Sequence, residues 1–174
     1  MNIIACPLAR VQQMVAGHAP ERVVSLLDPD FTFPELGRSY AELHLRLHLH
    51  DVHEASIGQV APSSVHVTQL LDFLARWRRS LPLLIHCRAG IGRSTATAFI
   101  AACLHNPNVS ERTIADRLRR VSPLARPNQV LISLADAVMG RNGRMLAAIE
   151  ETGRELRWHG VDENVPFELP GRFA

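Results

Sequence analysis

Apolar residues follow two regimes along this chain: short β-branched or alternating runs before residue 87, and stripes at helical spacing after it. Asn2 to Cys6 is short and apolar, the pattern of an edge strand. Leu8 to Ala16 has helical character and ends near Gly17. Arg22 to Leu27 (Arg-Val-Val-Ser-Leu-Leu) is β-branched and predicts an inner strand, stopped by Asp28-Pro29-Asp30. Phe31 to Tyr40, with Pro34 and Gly37, predicts a loop. Leu43 to Leu49 alternates strictly, with leucines 43, 45, 47 and 49 on one face and His44, Arg46, His48 and His50 on the other. That is a period of two, hence a strand. Asp51 to Pro62 is a polar loop carrying Gly58.

Beyond it the period lengthens. Ser63 or Ser64 is placed to cap a helix to about Arg79, with Val67, Leu70, Leu71, Leu74 and Trp77 on one stripe. Leu81 to Ile85 is a continuous apolar run, the mark of a buried strand. Thr95 to Leu104, rich in small and apolar residues, predicts a helix. Asn108 or Ser110 caps a helix to Val121 with Ile114, Leu118 and Val121 inward; Pro123 and Pro127 bracket a break. Asn128 caps a helix through about Met139, and Arg144 to Arg157 forms a last amphipathic helix. The tail from Gly160, with Pro166 and Pro170, is expected to be irregular. The expected fold class is α/β: a central mixed, mostly parallel sheet with helices on both faces, in one domain spanning residues 1–174.

Composition narrows the classes. The chain has 174 residues, 47% of them hydrophobic, and formal net charge +2. Its mean hydropathy is +0.01 and its pI about 8.7. That charge is too mild to imply nucleic acid. All 19 basic residues are arginines; a mildly basic surface suits an anionic substrate. No apolar run is long enough for a membrane span and the N-terminus lacks a signal-peptide pattern. Cys6, Cys87 and Cys103 do not form a disulfide framework, which points to a reduced, cytoplasmic setting. A Cys6–Cys87 bridge under oxidation is an open minor alternative.

The most informative stretch is His86-Cys87-Arg88-Ala89-Gly90-Ile91-Gly92-Arg93-Ser94. A cysteine stands at the end of a predicted strand, a glycine-bearing loop follows, and an arginine opens a predicted helix. Glycines let successive backbone N–H groups point into one concavity. The helix start adds partial positive charge, suited to phosphate. Arg93 offers a planar fork to two phosphate oxygens. The same field favours the Cys87 thiolate, the nucleophilic form.

This stretch resembles the signature loop of the cysteine-based protein tyrosine phosphatase superfamily: His-Cys, five residues, Arg, Ser/Thr. The interior Ala89-Gly90-Ile91-Gly92 is similar to the phosphotyrosine-specific branch, while the chain's small size is similar to the compact, dual-specificity members. The resemblance implies a phosphatase that works through a phosphocysteine intermediate without a cofactor. Cys87 would be the nucleophile, Arg93 the phosphate clamp, Ser94 the hydroxyl that eases sulfur's departure, and His86 a support of the loop. Residues Arg88, Ala89, Gly90, Ile91, Gly92 and Arg93 would bind the phosphoryl oxygens. The substrate implied is a phosphotyrosine protein, with phosphoserine and phosphothreonine left open.

A phenolate leaving group needs a proton, and in the resembling family an aspartate on a loop after an earlier strand supplies it. Asp51 fits that place; Glu54, Asp28 and Asp30 are alternatives, and Asp72 lies mid-helix. Pro127-Asn128 resembles a Pro-Asn pair in compact dual-specificity phosphatases, with Gln129 a candidate to position a water, yet helix capping by Asn128 is explanation enough. His44, His48, His50 and His53 surround Asp51; alternation accounts for their spacing, so a polar strand face, not a metal site, is expected. Phe31, Phe33 and Tyr40 are candidates for an aromatic wall or for the core.

Three other functions compete. A nucleotide P-loop wants Gly-Lys-Ser/Thr where this chain has Gly92-Arg93-Ser94. A rhodanese-like sulfurtransferase resembles Cys87-Arg88-Ala89-Gly90 but has four residues, not five, before its arginine. A phosphoinositide or small-molecule phosphatase, or a non-catalytic phosphopeptide-binding module, remains compatible with the loop.

Overall fold

The computed structural model describes residues 1–52, 54, 56–153 and 163–173. Five strands form one sheet: β1 (Asn2–Pro7), β2 (Arg22–Leu27), β3 (His44–His48), β4 (Leu83–Cys87) and β5 (Phe167–Pro170). Their order is β3-β2-β4-β1-β5. The first four are mutually parallel where they pair, and β5 runs antiparallel to β1. The helices are α1 (Val11–His18), α2 (Ser64–Ala75), α3 (Arg93–His105), α4 (Glu111–Val121), α5 (Gln129–Val138) and α6 (Arg144–Gly153). The α/β class with a mixed sheet and helices on both faces is as the sequence predicts.

Strand β4 is the middle strand and all five of its residues are buried, as a strand covered on both faces requires; His86 is its one polar side chain. The two faces carry separate cores. Ile4, Cys6, Val23 and Leu84 pack against α1 and its neighbours Leu8, Met14 and Tyr40. Ile3, Ala5, Val24, Leu26, Leu83, Ile85 and Cys87 face the larger core built by the later helices. The chain enters β2 by skipping a place beside β1, and β4 later fills that gap. A crevice at the carboxyl ends of such strands is where ligands bind in open α/β sheets.

Local signals set the helix starts. Ser63 caps α2 in a reciprocal box with His66, Ser110 accepts from the Thr113 amide, and Asn128 accepts from the Leu131 amide at 3.0 Å. Helix α2 ends at Ala75, short of the predicted Arg79, because the Trp77 indole donates to the Leu81 carbonyl at 2.9 Å and turns the chain into β4.

Two predictions for the ends of the chain fail. β1 is not an edge strand, since β4 and β5 cover both its sides. The tail is not irregular from residue 163: Phe167-Glu168-Leu169 alternates buried and exposed residues and closes the sheet as β5. The part of the last predicted helix beyond Gly153 lies outside the described residues. Among the described residues no helix is long and apolar enough to cross a membrane.

Candidate active site

Strand β4 delivers Cys87 to the carboxyl edge of the sheet, and α3 begins six residues later with Arg93. Between them the chain makes a tight loop whose carbonyls all find donors outside it. Arg88 O accepts from the Leu8 amide at 3.1 Å, and Ala89 O from the Asn164 amide at 2.8 Å. Gly90 O accepts from Asn164 Nδ2 at 3.1 Å. Ile91 O takes the Arg126 amide at 2.9 Å, and Gly92 O takes the Ala96 and Asn128 amides at 3.0 and 3.2 Å. Thr95 Oγ1 adds a bond to each of these last two carbonyls. With the carbonyls drawn outward, the amides are left for the inner side, and the Gly90 N–H donates to Cys87 Sγ at 3.3 Å.

Gly90 is required here. Its φ is +74°, and a Cβ would stand 2.9 Å from the Pro7 nitrogen. Gly92 is required for another reason: a Cβ there would overlap the Asp51 carboxylate, which lies directly over the loop.

Cys87 is 1% exposed but lines the floor of an open cleft of about 310 Å³, with Asp28, His50, Asp51, Arg88 and Arg93 among its walls. Ser94 Oγ lies 3.2 Å from the sulfur. Arg93, only 3% exposed, is held from behind: Nη1 donates to Asp28 Oδ1 at 2.8 Å and to the Leu49 carbonyl at 2.5 Å. Its Nε has no hydrogen-bond partner and points to Asp51 Oδ2 at 4.0 Å. A buried guanidinium that lines one cleft with a cysteine sulfur and stands at a helix N-terminus has the chemistry to hold an anion.

Asp51 follows β3 as the sequence predicts and reaches the cleft. Asn128 Nδ2 donates to its Oδ1 at 2.7 Å and to the Val52 carbonyl at 3.2 Å. Asn128 therefore does more than cap α5, which is a correction to the sequence reading. Asp28 is also a site residue, as the anchor of Arg93; it lies behind the guanidinium. Asp30 and Glu54 are not among the residues lining the cleft, and Asp72 lies within α2.

His86 departs least from expectation and His44 most. The His86 ring is fully buried and its Nε2 meets Ser25 Oγ at 2.5 Å; the same hydroxyl meets His44 Nε2 at 2.6 Å. His44 is thus buried, not part of a polar face, because its side chain follows Ser25 on the neighbouring β2. Burial pushes both imidazoles down, His44 to about 4 and His86 to about 3, so both are neutral. One hydroxyl proton serves two ring nitrogens, so Ser25 donates to one ring and accepts from the other. His48 stacks on Phe33, and His50 Nδ1 accepts from the Val60 amide; His53 lies outside the described residues. Among the described residues no three His, Cys, Asp or Glu side chains are placed to hold a metal ion.

Of the three aromatic candidates, Phe31 alone meets the cleft wall, through the Arg88 guanidinium 5.0 Å above its ring. Tyr40 packs in the α1 core and donates to Pro20 O. Cys6 pairs in register with His86 and so faces the α1 side, opposite Cys87. Burial and the neighbouring Cys87 push its thiol up to about 12. That arrangement disfavours a Cys6–Cys87 bridge.

A family model described as protein-tyrosine phosphatase matches residues 49–126, from the strand end before Asp51 to the far side of the loop. Over those residues the chain is similar to the protein-tyrosine phosphatase family. Its fold is similar to the crystal structure of DUSP15, with TM-score 0.60 and 17% identity over 88% of this chain and 91% of that one. It is similar to human tyrosine phosphatase-like serine/threonine/tyrosine-interacting protein, with TM-score 0.60 and 14% identity over 79% of this chain and 91% of that one. It is also similar to human DUSP28, with TM-score 0.55 and 17% identity over 79% and 88%. No curated protein sequence is significantly similar to the chain. These three structures share the fold of this chain.

Proposed function

We propose that this chain is a single-domain phosphomonoester hydrolase that acts on phosphotyrosine in proteins, with phosphoserine and phosphothreonine as further substrates to be tested. The observation that carries this reading is the loop between Cys87 and Arg93. Its carbonyls are tied outward, and the buried Arg93 guanidinium, whose Nε makes no hydrogen bond, lines the same cleft as the Cys87 sulfur. The unpaired thiols Cys6, Cys87 and Cys103 fit a reducing, cytoplasmic setting.

In this mechanism the Cys87 thiolate attacks phosphorus in line and an S–P bond forms. Loop amides and the free edge of Arg93 hold the equatorial oxygens. The P–O bond to the leaving group breaks, and Asp51 gives its proton to that oxygen. Water then attacks the phosphocysteine while the Asp51 carboxylate takes a proton from it. The S–P bond breaks, inorganic phosphate leaves, and the Ser94 hydroxyl hydrogen-bonds the departing sulfur. The Asp51 carboxylate over Gly92 occupies the ground that a phosphoryl group would take, so substrate entry displaces it towards the leaving-group side.

The decisive test is hydrolysis of a generic aryl phosphate near pH 6, with and without vanadate. Turnover that vanadate inhibits and Cys87→Ser abolishes supports the reading. Turnover that survives Cys87→Ser rejects it, as does sulfur transfer from thiosulfate to cyanide in place of phosphate release. Tight binding of a phosphopeptide without turnover would assign a recognition module instead.

A further inference from the structure

We infer that Asn164, in the tail segment after α6, is a positioning residue for the candidate active site. It holds the middle of the loop in its phosphate-accepting shape. The inference rests on the reading above for its function, but the contact itself stands apart from it.

The backbone N–H of Asn164 and both polar atoms of its side chain are used, and the residue is 5% exposed. Its backbone N–H donates to Ala89 O at 2.8 Å. Its Nδ2 donates to Gly90 O at 3.1 Å and to Ser122 Oγ at 2.7 Å. Its Oδ1 accepts from the Val165 amide at 3.0 Å. One residue thus takes two consecutive carbonyls, at the point where Gly90 has φ +74°. A peptide unit reversed there would swing its N–H away from Cys87 Sγ and turn a carbonyl into the hollow. Adjacent parts of the loop are held by Leu8 on one side and by residues 126–128 on the other. Among the described residues it is the tail that bonds the carbonyls at its centre.

The tail is placed by its own packing. Residues 167–170 pair with β1, Leu169 is fully buried, and the Gly171 amide donates to Met1 O at 3.0 Å. The segment carrying Asn164 therefore arrives at the loop from a fixed strand.

Asn164→Ala keeps the backbone bond and removes the two made by Nδ2, together with the one that Oδ1 accepts from Val165. The expected result is about tenfold weaker vanadate inhibition and a comparable fall in kcat, in line with one or two lost hydrogen bonds. Amide exchange at Gly90 and Ile91, measured on the full chain, should quicken by a similar factor. Leu70→Ala, in the core beneath α2 and away from the tail, is the control for a merely structural role. It should lower the melting temperature while leaving vanadate inhibition and loop exchange unchanged well below that temperature. Equal effects of Leu70→Ala and Asn164→Ala on vanadate, or unchanged loop exchange in Asn164→Ala, would overturn the inference. If the unaltered protein neither binds vanadate nor turns over an aryl phosphate, the proposed function falls, and the exchange measurement still decides the role of Asn164.

Discussion

Two loops meet in the cleft, and they are built in opposite ways. The loop from Arg88 to Gly92 has each of its carbonyls bonded to a donor from elsewhere: the end of β1, the tail, the 126–128 turn and the first turn of α3. The loop from Asp51 to Val60 closes mostly on itself, through His50 and Val60 and through Ser56 and Gln59, and Ile57 at its tip is fully exposed. Among the described residues its functional end is hydrogen-bonded by Asn128 and faces Arg93 at 4.0 Å. The difference fits their proposed tasks. A phosphate cradle works by pre-organisation and must not relax when charge develops. A proton donor has to yield ground to the substrate and then return to it. The cost of rigidity falls on many contacts; the placement of the acid rests on very few.

Substitutions can break this contrast, and the largest effect belongs to the proposed proton donor. Asp51→Ala should lower kcat on an aryl phosphate by about 10²–10⁴-fold with little change in vanadate affinity; steady-state kinetics and inhibition measured together check it. A much smaller loss would return the acid to Asp28 or to a residue outside the cleft. Gly90→Ala comes next. Its Cβ would press on the Pro7 backbone, and displacing the cradle by about 1 Å should cost roughly 10²-fold in kcat/KM. Gly58 has a similar φ, +81°, but open space around it. Gly58→Ala should therefore leave kcat/KM within about twofold, and a loss equal to that of Gly90→Ala would erase the distinction between the loops.

Asn128→Ala should be intermediate in activity, about tenfold down in kcat, and should also cost about 1 kcal/mol of stability because the cap of α5 goes with it; denaturant unfolding separates the two losses. The smallest effect is a slope. His44 and His86 are held neutral, with proton affinities below the ordinary value of 6.5. The unfolded chain binds protons there first, so stability is complete above pH 6.5 and falls as pH drops from 6.5 towards about 4 and 3. Each histidine adds at most about 1.4 kcal/mol per pH unit to that slope, less for the less buried His44. Urea unfolding between pH 7.5 and 5 should show the fall, and His44→Gln should flatten it.

Much of this was legible in the residues because the relevant signals are local. The period of two in β3, the uninterrupted apolar run of β4 and the capping residues of α2, α4 and α5 each act over a few positions. The nine-residue loop carries its cysteine, glycines and arginine in fixed order. Asp51 was legible by its place after a strand. What escaped was set at a distance. The strand β5 is four residues long between two prolines, and its only sign was the alternation of Phe167, Glu168 and Leu169. Asp28 looked like a strand terminator because the arginine it holds is 65 residues away. Asn128 looked like a cap, which it is; its second task depends on a loop 77 residues earlier. His44 broke the alternation because Ser25 on the adjacent strand supplied a buried partner. A sequence reports which partners a side chain could accept, and the sheet decides which one arrives.

The pairing of β5 with β1 joins residues about 165 positions apart, and Asn164 lies just before it. Contacts of such wide separation form late, since the whole intervening chain must be ordered first. During synthesis, β1 waits with one side bare until residue 170 has left the ribosome, and the centre of the loop waits with it. A nascent chain halted at residue 160 would hold every group proposed for the chemistry yet lack the clasp that shapes their cradle.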